Sequence, residues 1–202
     1  ISEMNAASYL VSNNESIATS YLIQTISTDQ KIFPVGTEDS YTPIYLTNEG
    51  GVSQIKVRTF DQVYQLGDQG ILVEKIDSTV NKTWEVATQT GLLQPIVELQ
   101  WNEADENINF NRSGAILMSY NNGVWSKENA NLAVENPPFK VISTDYIANA
   151  RFFSVWSSNN GINNSDSTAL KIYPNPTNGQ ITLEINDGFD AQNDQVEVRI
   201  YT

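Results

Sequence analysis

Apolar residues in this chain come in short runs, and no run keeps the three-and-four spacing of a helix over a useful length. The runs are rich in Tyr, Ile, Thr and Val, side chains that sit well on a pleated surface. "SYLV" (Ser8–Val11), "TSYLIQTI" (Thr19–Ile26) and "TPIYLTN" (Thr42–Asn48) come first. "VSQIKVRTF" (Val52–Phe60) sets Val52, Ile55, Val57 and Thr59 against Ser53, Lys56 and Arg58, and Gln54 breaks phase by one residue, as a bulge does. "KTWEVAT", "PIVELQW", "GAILMSY", "KVISTDY" and "ARFFSVW" follow, whereas "NANLAVEN" (Asn129–Asn136) reads as at most one helical turn. Turn signals separate the runs: Gly50-Gly51, Gly67, Gly70, Asn121-Asn122-Gly123 and Asn136-Pro137-Pro138. Asn122-Gly123 is a strong hairpin signal, because both residues accept positive φ. The expected fold is all-β, an antiparallel β-sandwich of roughly nine to eleven strands over residues 1–157.

Composition narrows the chemistry. Aromatic residues make up 10% of the chain and hydrophobic residues 40%, which argues for a packed core rather than disorder. The net charge of -13 argues against nucleic acid as a partner, since phosphate binding needs a basic surface. Histidine and cysteine are both absent, which removes Ser-His-Asp and Cys-His catalysis, disulfides and every His- or Cys-ligated metal site. A pair of carboxylates is the general acid/base chemistry left, and no cleft pair is legible, so the chain is read as non-catalytic. No stretch reaches the roughly 18 to 20 apolar residues of a membrane span, and direct membrane insertion is not expected. Ile1 reads neither as a natural start nor as the head of a signal peptide.

"SSNNGINNSDSTA" (Ser157–Ala169) is small and polar and reads as an exposed linker, with residues 158–167 at its heart. "LKIYPNPTNGQITLEI" (Leu170–Ile185) then reads as a strand, a proline-braced turn and a second strand. Pro174 and Pro176 each fix φ and remove a donor, so pairing must stop there. Asn175 precedes a proline and is pushed to extended backbone, and Gly179 permits the positive φ that closes a turn. This stretch resembles the start of the type A C-terminal sorting domain of the Bacteroidetes type IX secretion system. Tyr173, Pro174, Asn175, Pro176, Gly179, Leu183 and Ile185 carry the match, and "VEVRIYT" (Val196–Thr202) resembles the next strand of that family. Further strands are expected beyond Thr202, so residues 168–202 read as the opening of an immunoglobulin-like unit. Upstream, "FPVGTEDSYTPIYLTN", "TVNKTWEVATQTG", "IVELQWNEADENINFNRSGAILMSYNNGVW" and "ARFFSVWS" resemble, in this order, a β-sandwich module that often precedes such sorting domains.

The resemblance implies a secreted or cell-surface protein exported across the outer membrane. Its partners would be the translocon, an outer-membrane shuttle barrel and a sortase-like protease that cuts within Ser157–Ala169. Tyr173 to Gly179 is the segment expected to be recognised, and the sandwich would be a spacer or stalk. Two alternatives stand beside it: a carbohydrate-binding or adhesin module that presents Trp84, Trp101, Trp125 or Trp156, and an accessory domain of a secreted hydrolase. If the indoles instead fill the core, their N–H groups must find acceptors.

The weaker site candidates are acidic loops and short motifs. "NDGFDAQND" gathers Asp187, Asp190 and Asp194 and offers oxygens for calcium, though its spacing is not that of an EF-hand loop. "NEADENINFN" offers Glu103, Asp105 and Glu106 on the same terms, and the plainer expectation for both loops is a solvated turn without any cofactor. Asp77-Ser78-Thr79 and Asp166-Ser167-Thr168 resemble the O-glycosylation motif of exported Bacteroidetes proteins, which makes Ser78 and Ser167 candidate acceptors.

Overall fold

The computed structural model describes residues 9–12, 20–134 and 136–157, and the backbone of 171–173 and 182–184. The chain divides into two compact units, Ile1–Ser157 and Ser158–Thr202. The first unit carries, in chain order, β1 (Leu10–Val11), β2 (Leu22–Ile26), β3 (Lys31–Phe33), β4 (Val35–Thr37), β5 (Ser40–Tyr41), β6 (Ile44–Asn48) and β7 (Ser53–Asp61). There follow β8 (Lys82–Thr90), β9 (Pro95–Trp101), β10 (Ala115–Asn121), β11 (Val124–Lys127), β12 (Ala130–Val134), β13 (Phe139–Ser143) and β14 (Phe152–Ser157). The only helical pieces among the described residues are three 3₁₀ turns, Ile76–Ser78, Glu103–Asp105 and Arg112–Gly114.

Two antiparallel sheets hold most of these strands. One has six in the order β11-β10-β14-β8-β7-β2, the other five in the order β12-β13-β9-β6-β3. A small third sheet, β1-β4-β5, contains the one parallel pair among the described residues, Leu10 beside Val35. The period of two explains the layering. β9 buries Val97, Leu99 and Trp101, while Ile96 and Glu98, on the alternate positions, are only partly covered. β6 does the same with Ile44 and Leu46 about a half-exposed Tyr45. In the six-stranded sheet Val57 stands opposite Val86, Trp84 opposite Phe153, and Val155 opposite Leu117. A single apolar cluster takes these side chains from both sheets, together with Phe33, Phe139 and Val141. Each such side chain contributes roughly 1.5–3 kcal/mol on burial. The Trp84 indole donates to the Thr42 carbonyl at 2.8 Å, so the largest buried side chain leaves no orphan donor.

One buried amide ties two connections together. Asn48, fully buried at the end of β6, places Nδ2 within reach of Gly51 O (2.6 Å), Ser53 Oγ (3.0 Å) and Leu92 O (2.9 Å). Its Oδ1 accepts from the Gly50 and Gln94 amides at 3.3 and 2.7 Å. The β6–β7 and β8–β9 turns therefore share one polar knot, and backbone groups that would otherwise be orphaned are satisfied there.

The all-β expectation holds, and the differences are local. Asn122 (φ 51°) and Gly123 (φ 90°) form the expected two-residue turn between Asn121 and Val124. Val52 is 73% exposed, and the buried phase starts at Ser53. The register does shift beside Gln54, but the extra residue is Gln89 across the ladder: Gln54 pairs with Thr90 and Ile55 with Thr88. "NANLAVEN" is a strand rather than a helical turn, because β12 finds a partner in β13, and its own register shift between Leu132 and Val134 obscures the alternation. Fourteen strands occur in the first unit among the described residues, eleven of them in the two large sheets. The three outside them, β1, β4 and β5, are two or three residues long.

Asn48→Ala should strand several of the turn amides and carbonyls at once. The unfolding free energy is expected to fall by about 2–4 kcal/mol, read as a lower urea midpoint at unchanged slope. A loss under about 0.5 kcal/mol, the ordinary surface value, would show the knot to be incidental.

Candidate functional site

In the second unit β15 (Lys171–Tyr173) and β16 (Thr182–Glu184) pair antiparallel, Lys171 with Glu184, Ile172 with Leu183 and Tyr173 with Thr182. The two strands that flank the Tyr-Pro-Asn-Pro segment are therefore partners. Tyr173 and Leu183 lie on them. Pro174, Asn175, Pro176, Gly179 and Ile185 lie outside the described residues, as do Asp187, Asp190, Asp194 and Ser167.

The acidic loop after β9 is described, and its carboxylates are committed to cations. Arg112 meets Glu103 at 2.6 Å and both oxygens of Glu106 at 2.7 and 2.9 Å. Hydrogen bonds donated to Glu106 first, then to Glu103, hold the Arg112 guanidinium above its ordinary range. Glu106 also accepts from the Trp101 indole at 3.0 Å. Among the described residues no group of three or more carboxylates stands where it could hold a metal ion. Ser78 ends the first 3₁₀ turn and is only 8% exposed, with its carbonyl accepting from the Ser157 hydroxyl at 3.2 Å, so a glycan there would require the turn to open.

The tryptophans divide into two pairs. Trp84 and Trp101 are fully buried in the core. Trp125 and Trp156 are half-buried and fall, by register, on the other face of the six-stranded sheet. Their rings are 5.8 Å apart, and Tyr120, Phe152, Phe60 and Tyr64 continue the aromatic row at 5.5–6.5 Å spacings. The β7–β8 connection closes over this row as a narrow excursion, with Val73 N donating to Val63 O at 3.1 Å. The Trp125 indole donates to Tyr64 O at 2.8 Å. Gly67, at φ +82°, lies so close that a Cβ would stand 2.4 Å from the Phe152 ring.

Two charged centres interrupt the strands β7 and β8. On the outer face Glu85, fully buried, accepts from Arg58 Nε at 2.5 Å, Arg151 Nη2 at 2.6 Å and the Tyr21 hydroxyl at 3.1 Å. Burial, then the Glu85 charge, pushes the Tyr21 phenol above its ordinary range. Burial works against the Arg151 charge, and the hydrogen bonds it donates to Glu85, with the Glu85 charge, override it, so that group too is raised.

On the inner parity the last residue of β7, Asp61, stands opposite the first of β8, Lys82. The Lys82 ammonium contacts Asp61 Oδ1, reaches Asp105 Oδ1 at 3.3 Å and donates to Thr37 Oγ1 at 3.1 Å. Asp105 is itself held by the Ser40 hydroxyl (2.8 Å) and the Asn102 amide (2.9 Å). Sequence reading missed both centres. The signal was parity: counting in twos from Val57 reaches Asp61, and counting back in twos from Trp84 reaches Lys82, so both fall on core-facing positions. A pocket of about 320 Å³ lies beside Val86, Leu92, Leu93, Asn149 and Ala150, and the guanidinium at its rim, Arg151, is already engaged by Glu85.

Glu85→Gln would leave two guanidinium groups facing a neutral amide and should cost about 3–5 kcal/mol. Pairing it with Arg58→Met should recover part of that loss, and two-state unfolding of the four variants of the cycle measures the coupling. The raised Tyr21 phenol favours the neutral form in the folded state. Its stabilising share is thus present below the unfolded value near pH 10 and is lost as pH rises through the folded value. A difference titration at the tyrosinate band between the parent and Tyr21→Phe should show Tyr21 ionising later than a free tyrosine. Comparison with known proteins finds no matching family model, no matching curated protein and no matching solved structure.

Proposed function

We propose that this chain is a non-catalytic C-terminal portion of a type IX secretion substrate from a Bacteroidetes cell. The second unit is its export and surface-attachment signal, the opening of an immunoglobulin-like type A sorting domain. The first unit is a β-sandwich spacer or stalk. One observation carries the reading: β15 and β16 pair in register on either side of the segment that contains Tyr-Pro-Asn-Pro and Gly179. Pro174 and Pro176, between the paired strands in sequence, carry no backbone N–H with which to extend a ladder, and a segment of that chemistry suits recognition by strand addition or loop contact. The translocon and an outer-membrane shuttle barrel would read it, and a sortase-like protease would cut in the polar stretch Ser157–Ala169. The first unit supports a passive role, because the buried ionisable groups of its two charged centres are tied to one another and not gathered in an open cleft.

A reporter carrying the full chain at its C-terminus should reach the cell surface of a type IX-competent Bacteroidetes host. The same fusion lacking Leu170–Thr202 should stay inside the outer membrane, as judged by surface protease accessibility and fractionation. If the shortened fusion still arrived at the surface, the assignment would fall.

A further inference from the structure

We propose that Lys82 and Asp61 condense to an intramolecular isopeptide bond, with Asp105 as the acid–base group of the reaction. The inference is independent of the export reading. It rests on three side chains brought together by the start of β8, the end of β7 and the 3₁₀ turn Glu103–Asp105.

The pairing of Asp61 with Lys82 in the ladder sets nucleophile and electrophile face to face on adjacent strands, with the nitrogen already in contact with the carboxyl group. Bringing two reactants into such an arrangement removes most of the entropic barrier to an otherwise slow condensation. Lys82 and Asp105 are nearly sealed, with side-chain exposures of 5% and 3%, so solvent does not compete for the amine. Asp61 is the more open of the three, at 23%, which leaves a way out for the water that must depart.

The number of carboxylates is informative. One ammonium needs one counter-charge, and burying a second carboxylate beside it is costly unless that group is well held. Asp105 is held: its Oδ2 accepts from Ser40 and Asn102, which leaves Oδ1 turned toward Lys82 at 3.3 Å. That geometry assigns the roles. Asp61, in direct contact and opposite in register, is the electrophile. Asp105, fixed and one step further away, shuttles a proton.

The step balances within the cluster. One proton passes from the Lys82 ammonium to the Asp61 carboxylate, giving an amine and a carboxylic acid. The nitrogen lone pair attacks Asp61 Cγ, the Nζ–Cγ bond forms, and the carbonyl π pair moves onto oxygen. Asp105 takes the second nitrogen proton and delivers it to the Asp61 hydroxyl. The Cγ–O bond then breaks, the carbonyl re-forms and one water leaves. Asp105 ends as it began, and the charges of Lys82 and Asp61 are both gone. The product closes the β7–β8 connection, residues 62–81, into a covalent loop.

The full chain, purified folded and then denatured, should weigh one water less than its sequence. Digestion should yield a branched peptide joining Lys82 to Asp61, identified by tandem mass spectrometry. Lys82→Arg and Asp61→Ala should each restore the full mass. Asp105→Asn should slow bond formation by about 100-fold while circular dichroism still reports a folded β protein. The parent's own mass is decisive even if a variant fails to fold: a parent that keeps its full sequence mass after prolonged incubation in the folded state overturns the proposal. A branch through Asp105, or an Asp105→Asn variant that links as fast as the parent, overturns the assignment of roles.

Discussion

The ladder between β7 and β8 is the constraint on which the rest of the first unit depends. It is nine residues long on each side and lies inside the six-stranded sheet, so each of its strands has a hydrogen-bonded partner on both edges. One face supplies Ile55, Val57, Trp84 and Val86 to the apolar cluster, and the other carries Arg58 and Glu85. The two faces contribute differently. Apolar burial at roughly 1.5–3 kcal/mol per large side chain is the stabilising term. A buried ion pair roughly breaks even against its desolvation, but a slip of register that parted it would leave uncompensated charge. The core therefore holds the ladder together, and the charges hold it in register. A one-residue slip would turn Val57 outward and Arg58 inward, a state that both faces oppose.

The same ladder fixes what lies around it. Its connecting segment has to cross the outer face, and Gly67 lets it approach the Phe152 ring where any side chain would collide. Its opposite end meets the Asn48 knot, which joins the turn into β7 with the turn out of β8. The Lys82 cluster stands at one end of the pair and the Asn48 knot at the other.

Much of this was legible in the residues, for definite reasons. The runs of large β-formers, such as "PIVELQW" and "GAILMSY", are strands in the structure, and Asn122-Gly123 turns the chain as positive φ at both positions requires. β12 was not legible, because a register shift falls between Leu132 and Val134 and the pattern loses its phase there. β3, β4 and β5 are too short to show any period. Of the tryptophans, the residue type alone did not separate the core pair from the outer pair; partners on neighbouring strands did. The charged clusters were half-legible: the parity of Lys82 and Asp61 can be counted, but Asp105 comes from a separate turn beyond β9, and only folding brings it there. The two strands of the tail motif were legible, and they pair antiparallel; the turn expected between them lies outside the described residues.

The order of strands in the large sheet has a consequence for biosynthesis. β14 is the last strand of its unit, yet it sits between β8 and β10 and bonds to both. Until Phe152–Ser157 has emerged from the ribosome, these two partners have nothing between them, and each offers unpaired backbone donors and acceptors to any neighbouring nascent chain. The vulnerable interval spans nearly the whole synthesis of the unit after Thr90. A holding chaperone that bound the β8 edge would be released by the arrival of the chain's own strand, which makes the emergence of β14 the trigger for closure.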